Sequence, residues 1–155
     1  MAGLYCSLAT NLAEQEEYEK ALTKCNQAHE ILEKTYAENS PEFAKYYYVL
    51  YDICYRKNDI DLAITHLEKA VALCETIKKK PADLRKMYTR LISLYKGKRS
   101  YEKAISVCKK AIHLEEKSFE TKPAKLLNWY NKVAELYYLE GEYNNAELCY
   151  EKLKR

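Results

Sequence analysis

Glycine and proline are both scarce in this chain, at three of each among 155 residues. Turn-rich β architectures use far more of both, so the shortage argues against an all-β fold. No apolar run approaches the ~20 residues of a membrane-spanning helix. The opening "MAGLYCSLATNLAEQ" lacks the basic start and continuous apolar stretch of a secretory signal. Six cysteines are spread over the chain, with no CxxC pair and no Cys/His cluster at zinc spacing. They read as free thiols acting as small hydrophobes, which points to a reducing, cytoplasmic setting and to no metal. A glycine-rich phosphate loop, HExxH and a nucleophile motif are missing too. The expectation is therefore a non-enzyme without cofactors. The paired acids Glu16/Glu17 and Glu115/Glu116 read as solvated turn or helix-surface residues.

Apolar residues make up 48% and charged residues 32%, a mix that suits one folded domain. The net charge of +3 is unevenly distributed. Residues 1–40 carry three Lys and seven Glu, giving −4, whereas residues 81–155 carry sixteen Lys/Arg and ten Asp/Glu, giving +6. That excess can attract an acidic partner but is small for a nucleic-acid-binding tail.

The strongest signal is an internal beat. "YEKAL" at 18–22 returns as "IDLAI" at 60–64, "YEKAI" at 101–105 and "YNNAE" at 143–147. Their alanines, Ala21, Ala63, Ala104 and Ala146, are separated by 42, 41 and 42 residues. Tyr5, Tyr47, Tyr88 and Tyr130 keep the same intervals, and Leu8, Leu50, Leu91 and Val133 follow three residues behind them. Ala28, Ala70 and Ala111 form a second small-residue series, and Tyr36, Ile77 and Phe119 a third large one. Pro41, Pro81 and Pro123 head the later units. Series that share one interval define a tandem array of about four units, approximately 1–39, 40–80, 81–121 and 122–155.

Each unit reads as two helices. In "PEFAKYYYVLYDICYRK", Phe43, Tyr47, Leu50, Tyr51 and Cys54 recur at helical spacing, with Ser40 as N-cap and Pro41 in the first turn. "ND" at 58–59 interrupts the pattern before a longer helix in "IDLAITHLEKAVALCETIKK", which Lys78–Lys80 close favourably. "GKRS" and "EGEY" supply equally short turns, so neighbouring helices run antiparallel. His29, His66 and His113 all fall in second helices of different units and form no cluster. The pentamer's alanine must be small where two backbones approach closely, and Leu at Ala63 or Ala104 should overpack the site.

The order of large residue, Leu, Tyr, Tyr, Ala, aromatic and Ala resembles the tetratricopeptide repeat. Unit four carries it most fully, in Tyr130, Val133, Ala134, Tyr137, Gly141, Tyr143, Ala146 and Tyr150. The period of about 42 exceeds the usual ~34, and in this the chain is similar to the kinesin light chain class. Asn58 and Glu16 stand where the turn glycine is expected, and Tyr51 stands where a small residue is usual. The resemblance implies an all-α, right-handed superhelix of about four tandem hairpins, a TPR-like α-solenoid. Tyr5 has only four residues ahead of it, and the last helix stops at Arg155 without a capping face. A segment of a longer array is expected, with possible self-association through the cut repeat ends.

In this family the first helices line the concave side, so residues opposite each buried stripe are expected to face a partner. These are Lys45, Tyr48, Asp52, Tyr55 and Arg56 in unit two. Unit three offers Lys86, Thr89, Arg90, Ser93 and Lys96, and unit four offers Asn128, Asn131, Lys132, Glu135 and Tyr138. Unit one contributes only Cys6, Thr10 and Ala13. Six cations against two anions, with three tyrosines among them, suit an extended acidic peptide with an aromatic or apolar anchor. Lys86 and Arg90 have the spacing of a carboxylate clamp in co-chaperone repeats, but Cys6, Thr10 and Val49 occupy the positions of its other members. Two alternatives are single-stranded RNA stacking on the groove tyrosines and a sensor or self-association segment of a signalling protein.

Overall fold

The computed structural model describes residues 2–37, 40, 42–76, 81–117 and 123–153. These residues form α1 (Ala2–Glu14), α2 (Tyr18–Thr35), α3 (Glu42–Arg56), α4 (Ile60–Thr76), α5 (Pro81–Gly97), α6 (Tyr101–Lys117), α7 (Pro123–Glu140) and α8 (Tyr143–Leu153). No strand occurs among them, so the protein is all-α. The chain divides into two compact halves, Met1–Lys80 and Pro81–Arg155. Within each half, helices pair as hairpins: α1 with α2, α3 with α4, α5 with α6 and α7 with α8.

The repeat is written into the backbone at the hairpin turns. Glu16, Asn58, Arg99 and Gly141 all take positive φ, at 64°, 66°, 61° and 89°. The N–H of each following residue donates five residues back: Glu17 to Leu12 at 2.9 Å, Asp59 to Cys54 at 2.8 Å, Ser100 to Tyr95 at 2.8 Å and Glu142 to Tyr137 at 2.9 Å. This is the Schellman closure, which satisfies carbonyls that a helix end would otherwise leave unpaired. The residue that closes one helix also opens the next. The carbonyls of Glu17, Asp59, Ser100 and Glu142 accept from the N–H groups of Ala21, Ala63, Ala104 and Ala146. Only the fourth turn uses glycine at the left-handed position. Gly97, expected in the third turn, is the last residue of α5, and Arg99 takes the strained conformation instead.

Small side chains then let the helices approach. Ala21, Ala28, Ala63, Ala70, Ala104 and Ala111 are all 0% exposed. In the first half, Cys6, Ala9, Cys25 and Ala28 from α1 and α2 meet Phe43, Tyr46, Val49 and Ile53 from α3 in one core. The Tyr46 ring lies 5.3 Å from that of His29 on α2. In the second half Met87, Tyr88, Leu91 and Tyr95 of α5, Cys108 and Ile112 of α6, and Trp129 and Val133 of α7 are buried. In the first half the Tyr46 ring of α3 thus shares a core with the small Cys25 and Ala28 of α2.

Several expectations shift. Leu50, Leu91 and Val133 are buried, but Leu8 is 38% exposed, because α1 turns Cys6, Ala9 and Ala13 inward instead. Ser40 starts α3 through its carbonyl, which accepts from Phe43 N–H at 3.1 Å, while its buried hydroxyl makes no hydrogen bond among the described residues. The readings on Pro41, Ile77, Lys78–Lys80 and Phe119 lie outside the described residues.

Glu115 overturns its solvated reading. It is 0% exposed on α6, and its Oε1 sits 2.5 Å from Nε of Arg85 on α5. The two atoms are aligned for an ion pair and not for a hydrogen bond with each other. All six cysteines are free, five of them buried and Cys149 half-buried. Burial pushes the Cys25 and Cys108 thiols up to about 12 and raises those of Cys6 and Cys54. Such thiols are poor nucleophiles at neutral pH.

Candidate functional site

α3 presents the first group of candidate residues. Its buried side holds Phe43, Tyr46, Leu50 and Ile53, which leaves Lys45, Tyr55 and Arg56 exposed and Tyr48 and Asp52 half-buried. Tyr51 is only 2% exposed, and it props the rings on either side of it. Its centroid is 5.4 Å from that of Tyr48 and 6.0 Å from that of Tyr55. The bulky residue that departs from the repeat pattern thus anchors an aromatic ladder along this face. Arg56 Nε donates to Asp52 Oδ2 at 3.1 Å, so the single carboxylate of the group is already engaged. Lys45 stands close enough to Cys6 to lower its thiol pKa partly, against the larger effect of burial.

α1 does not extend this face. Cys6 and Ala13 are 2% and 1% exposed, and the Thr10 hydroxyl donates to the Cys6 carbonyl at 3.0 Å. These positions have the helical phase expected of partner-facing residues. With side chains so small, α1 closes against α3 and the phase becomes core.

The second half carries the other candidates. Lys86, Thr89, Arg90, Ser93 and Lys96 are all exposed on α5. On α7, Asn128, Asn131, Glu135 and Tyr138 are exposed and Lys132 is half-buried. Lys96 Nζ donates to Glu135 Oε1 at 2.5 Å, which brings the two helix faces together. Lys132 Nζ lies 4.6 Å from the Trp129 ring centroid, a cation–π geometry. Thr89 turns its hydroxyl back to the Arg85 carbonyl at 2.8 Å. Tyr138 is 60% exposed and makes an edge contact with Tyr143 at 5.3 Å. The face therefore combines four cations with one carboxylate, and Lys96 already holds that carboxylate.

A cavity of about 400 Å³ opens elsewhere in this half, between α6, α7 and α8. Lys109, Ile112, Tyr130, Val133, Tyr137 and Cys149 are among its lining residues, and none of the fifteen candidates is. Two pairs of its polar groups bond with one another. Tyr130 O–H donates to Glu116 Oε1 at 3.2 Å, and burial with that bond raises the phenol pKa. A hydrogen bond with Tyr137 raises Lys109. No group of three or more acids, histidines or cysteines is placed to hold a metal among the described residues. No described helix is long and apolar enough to cross a membrane.

Residues 1–76 match the tetratricopeptide repeat family model. No curated protein sequence matches the chain at a significant level. Among solved structures, BtubC (BKLC) from P. vanneervenii superposes with a TM-score of 0.74 at 21% identity, covering 99% of this chain and 62% of that one. A kinesin-light-chain-like protein of Podosopora anserina with nearly identical TPR-like repeats gives 0.67 at 16% identity, covering 96% and 71%. The apo form of RapI gives 0.72 at 13% identity, covering 99% and 57%. The fold is therefore that of TPR-like solenoids, and the chain spans about three fifths of the BtubC structure.

Proposed function

We propose, from the premise of a tetratricopeptide-repeat protein resembling the kinesin light chain class, that this chain binds an acidic linear segment of a partner protein through its first helices. Tetratricopeptide arrays are in general interaction scaffolds, and the reading here is binding without chemistry. One observation carries it. On the α5–α7 face Lys86, Arg90, Lys96 and Lys132 outnumber the single acid Glu135, which Lys96 has claimed. The α3 group follows the same logic, with Asp52 held by Arg56 and Lys45 left over. An acidic ligand meets no free carboxylate among these candidates, while exposed ammonium and guanidinium groups steer its approach. Asn128, Asn131 and Ser93 add neutral hydrogen-bonding groups, and Tyr138 or the Tyr48–Tyr55 ladder offers rigid area for an aromatic or apolar anchor.

A peptide array of acidic and neutral segments, read with wild type and the Lys86→Glu, Arg90→Glu variant, tests the assignment. Loss of acidic-peptide capture by at least about tenfold is expected, since two attractive charges become repulsive. Capture that survives the double reversal rules out this face. Micromolar binding of single-stranded RNA with a steep salt slope, alongside no peptide capture, replaces the peptide reading with the nucleic-acid one.

A further inference from the structure

The cavity between α6, α7 and α8 takes no part in the peptide face, and the repeat register shows how it arises. Tyr130 is equivalent to Tyr47, and Cys149 to His66, each pair 83 residues apart. In the first half the His66 ring stacks on Tyr47, with 6.5 Å between centroids and 16° between planes. In the second half a thiol stands where that imidazole stands. Tyr137, which replaces Cys54 in the register, adds a ring to the α7 wall. About 400 Å³ nevertheless opens beside Tyr130, Tyr137, Ile112 and Val133. The mouth lies on a side that a following hairpin leaves open. Asn145 and Leu148 line it from α8, and their equivalents on α2, Lys20 and Thr23, are exposed although α3 and α4 come after them. Leu148 is also the apolar member of its series: the earlier repeats carry Thr23, Thr65 and Ser106 there, whereas a 57% exposed leucine forms the lip of the cavity.

We propose that this cavity binds a flat bicyclic heteroaromatic acid, its ring against Tyr130 and its carboxylate on Lys109. The volume falls in the range of small-molecule sites, and the walls have their usual make-up of apolar and aromatic side chains with few polar groups. The ring takes the place that His66 takes on Tyr47, in an offset stack. Charge at the two ends sets its direction. Lys109 is exposed at one end, its Nζ 5.6 Å from the Tyr137 ring centroid. An ammonium brings three donors, so the hydrogen bond with Tyr137 does not exhaust it. Glu116 stands two turns further along α6, a separation of about 10 Å that a bicyclic ring can bridge. Its Oε1 accepts from Tyr130 O–H at 3.2 Å, and the second oxygen can accept a ring N–H. A ligand with an acid at one end and a ring N–H at the other therefore meets a complementary group at each. An amine in place of the acid meets the like charge of Lys109.

Titration of the isotope-labelled 155-residue chain with indole-3-acetate, read by amide chemical shifts, tests the site. Saturable shifts confined to the surroundings of the cavity, Lys109, Ile112 and Val133 among them, are expected with a Kd below about 1 mM. Cyclohexylacetate lacks the flat ring, and tryptamine carries an ammonium in place of the acid; each should bind at least about tenfold more weakly. Lys109→Gln should weaken indole-3-acetate by at least about fivefold. Cys149→His supplies the ring that His66 supplies in the first half, and should abolish the shifts with far-UV circular dichroism unchanged. If Cys149→His costs helix content, Cys149→Gln takes its place as the filled cavity. Shifts that do not saturate by about 10 mM, equal binding of tryptamine, or undiminished binding by Lys109→Gln or by the filled cavity would each overturn the assignment.

Discussion

Removing Arg85 alone should cost the second half more stability than removing Arg85 and Glu115 together. Glu115 is wholly buried, and the Arg85 side chain is 26% exposed. Arg85→Ala leaves a carboxylate in the core without its cation. Breaking a buried pair in this way costs about 3–5 kcal/mol, and water reaching the vacated arginine site brings the expectation to roughly 3 kcal/mol. Glu115→Leu strands the arginine instead, which can turn its head outward, so the cost falls to about 1–2 kcal/mol. The double variant Arg85→Ala, Glu115→Leu recreates an apolar layer that the preceding hairpin already contains, where the equivalent residues are Ala44 and Cys74, both 0% exposed. It should lie within about 1 kcal/mol of wild type. The single tryptophan, Trp129, is buried on α7 in the same half, so its fluorescence during urea titration reports the relevant unfolding. With a slope near 1 kcal/mol per molar for a unit this small, Arg85→Ala should lower the midpoint by roughly 3 M. A double variant less stable than both singles would refute the reasoning, because the pair would then stabilise by more than mutual neutralisation.

Two further outcomes follow from the turns and from His66. Gly97 lies in a helix with open space around the position a Cβ would take, whereas Arg99 carries φ 61°. Gly97→Ala and Arg99→Gly should therefore each raise thermal stability by about 1 kcal/mol, and a loss at Arg99→Gly would mean that its side chain does more than occupy the turn. Burial, helped by Lys69 and opposed by Asp59, lowers the pKa of His66 below its ordinary 6.5. The unfolded chain then binds the proton first, so this contribution is fully present above pH ~6.5 and is lost as pH falls through the lower folded-state value. Urea titrations followed by circular dichroism should show a midpoint falling between pH 7.5 and 5.5, with the fall reduced in His66→Gln; an equal fall in that variant would acquit the histidine.

The hairpin plan was legible because its causes are local. A 42-residue interval in small and large side chains fixes where backbones approach, and Ala21, Ala63, Ala104 and Ala146 lie buried at the start of each second helix. Lys86, Arg90 and Lys96, which helical phase sets opposite the buried stripe, are exposed on α5. The same phase misplaced Cys6 and Ala13, since it cannot tell an open face from one closed by a neighbouring helix. Arg85 and Glu115 could have been found by reading down the repeat register, where charge replaces Ala44 and Cys74. The local glutamate pair drew attention to solvation instead. Lys96 with Glu135, 39 residues apart, and Lys132 over Trp129 depend on side-chain rotamers and on the distance between helices, which no single-sequence pattern encodes.

The Schellman turns have a further consequence, for synthesis. Every one closes with a bond spanning five residues, and each second helix is tied at once to the helix just made. No hairpin must wait for a distant stretch of chain in order to pair its backbone. At ~5–20 residues per second on the ribosome, a forty-residue hairpin is complete within a few seconds of its first residue. The first can then serve as a template for the second while the third is still being translated, which keeps Leu- and Tyr-rich faces from lingering in water.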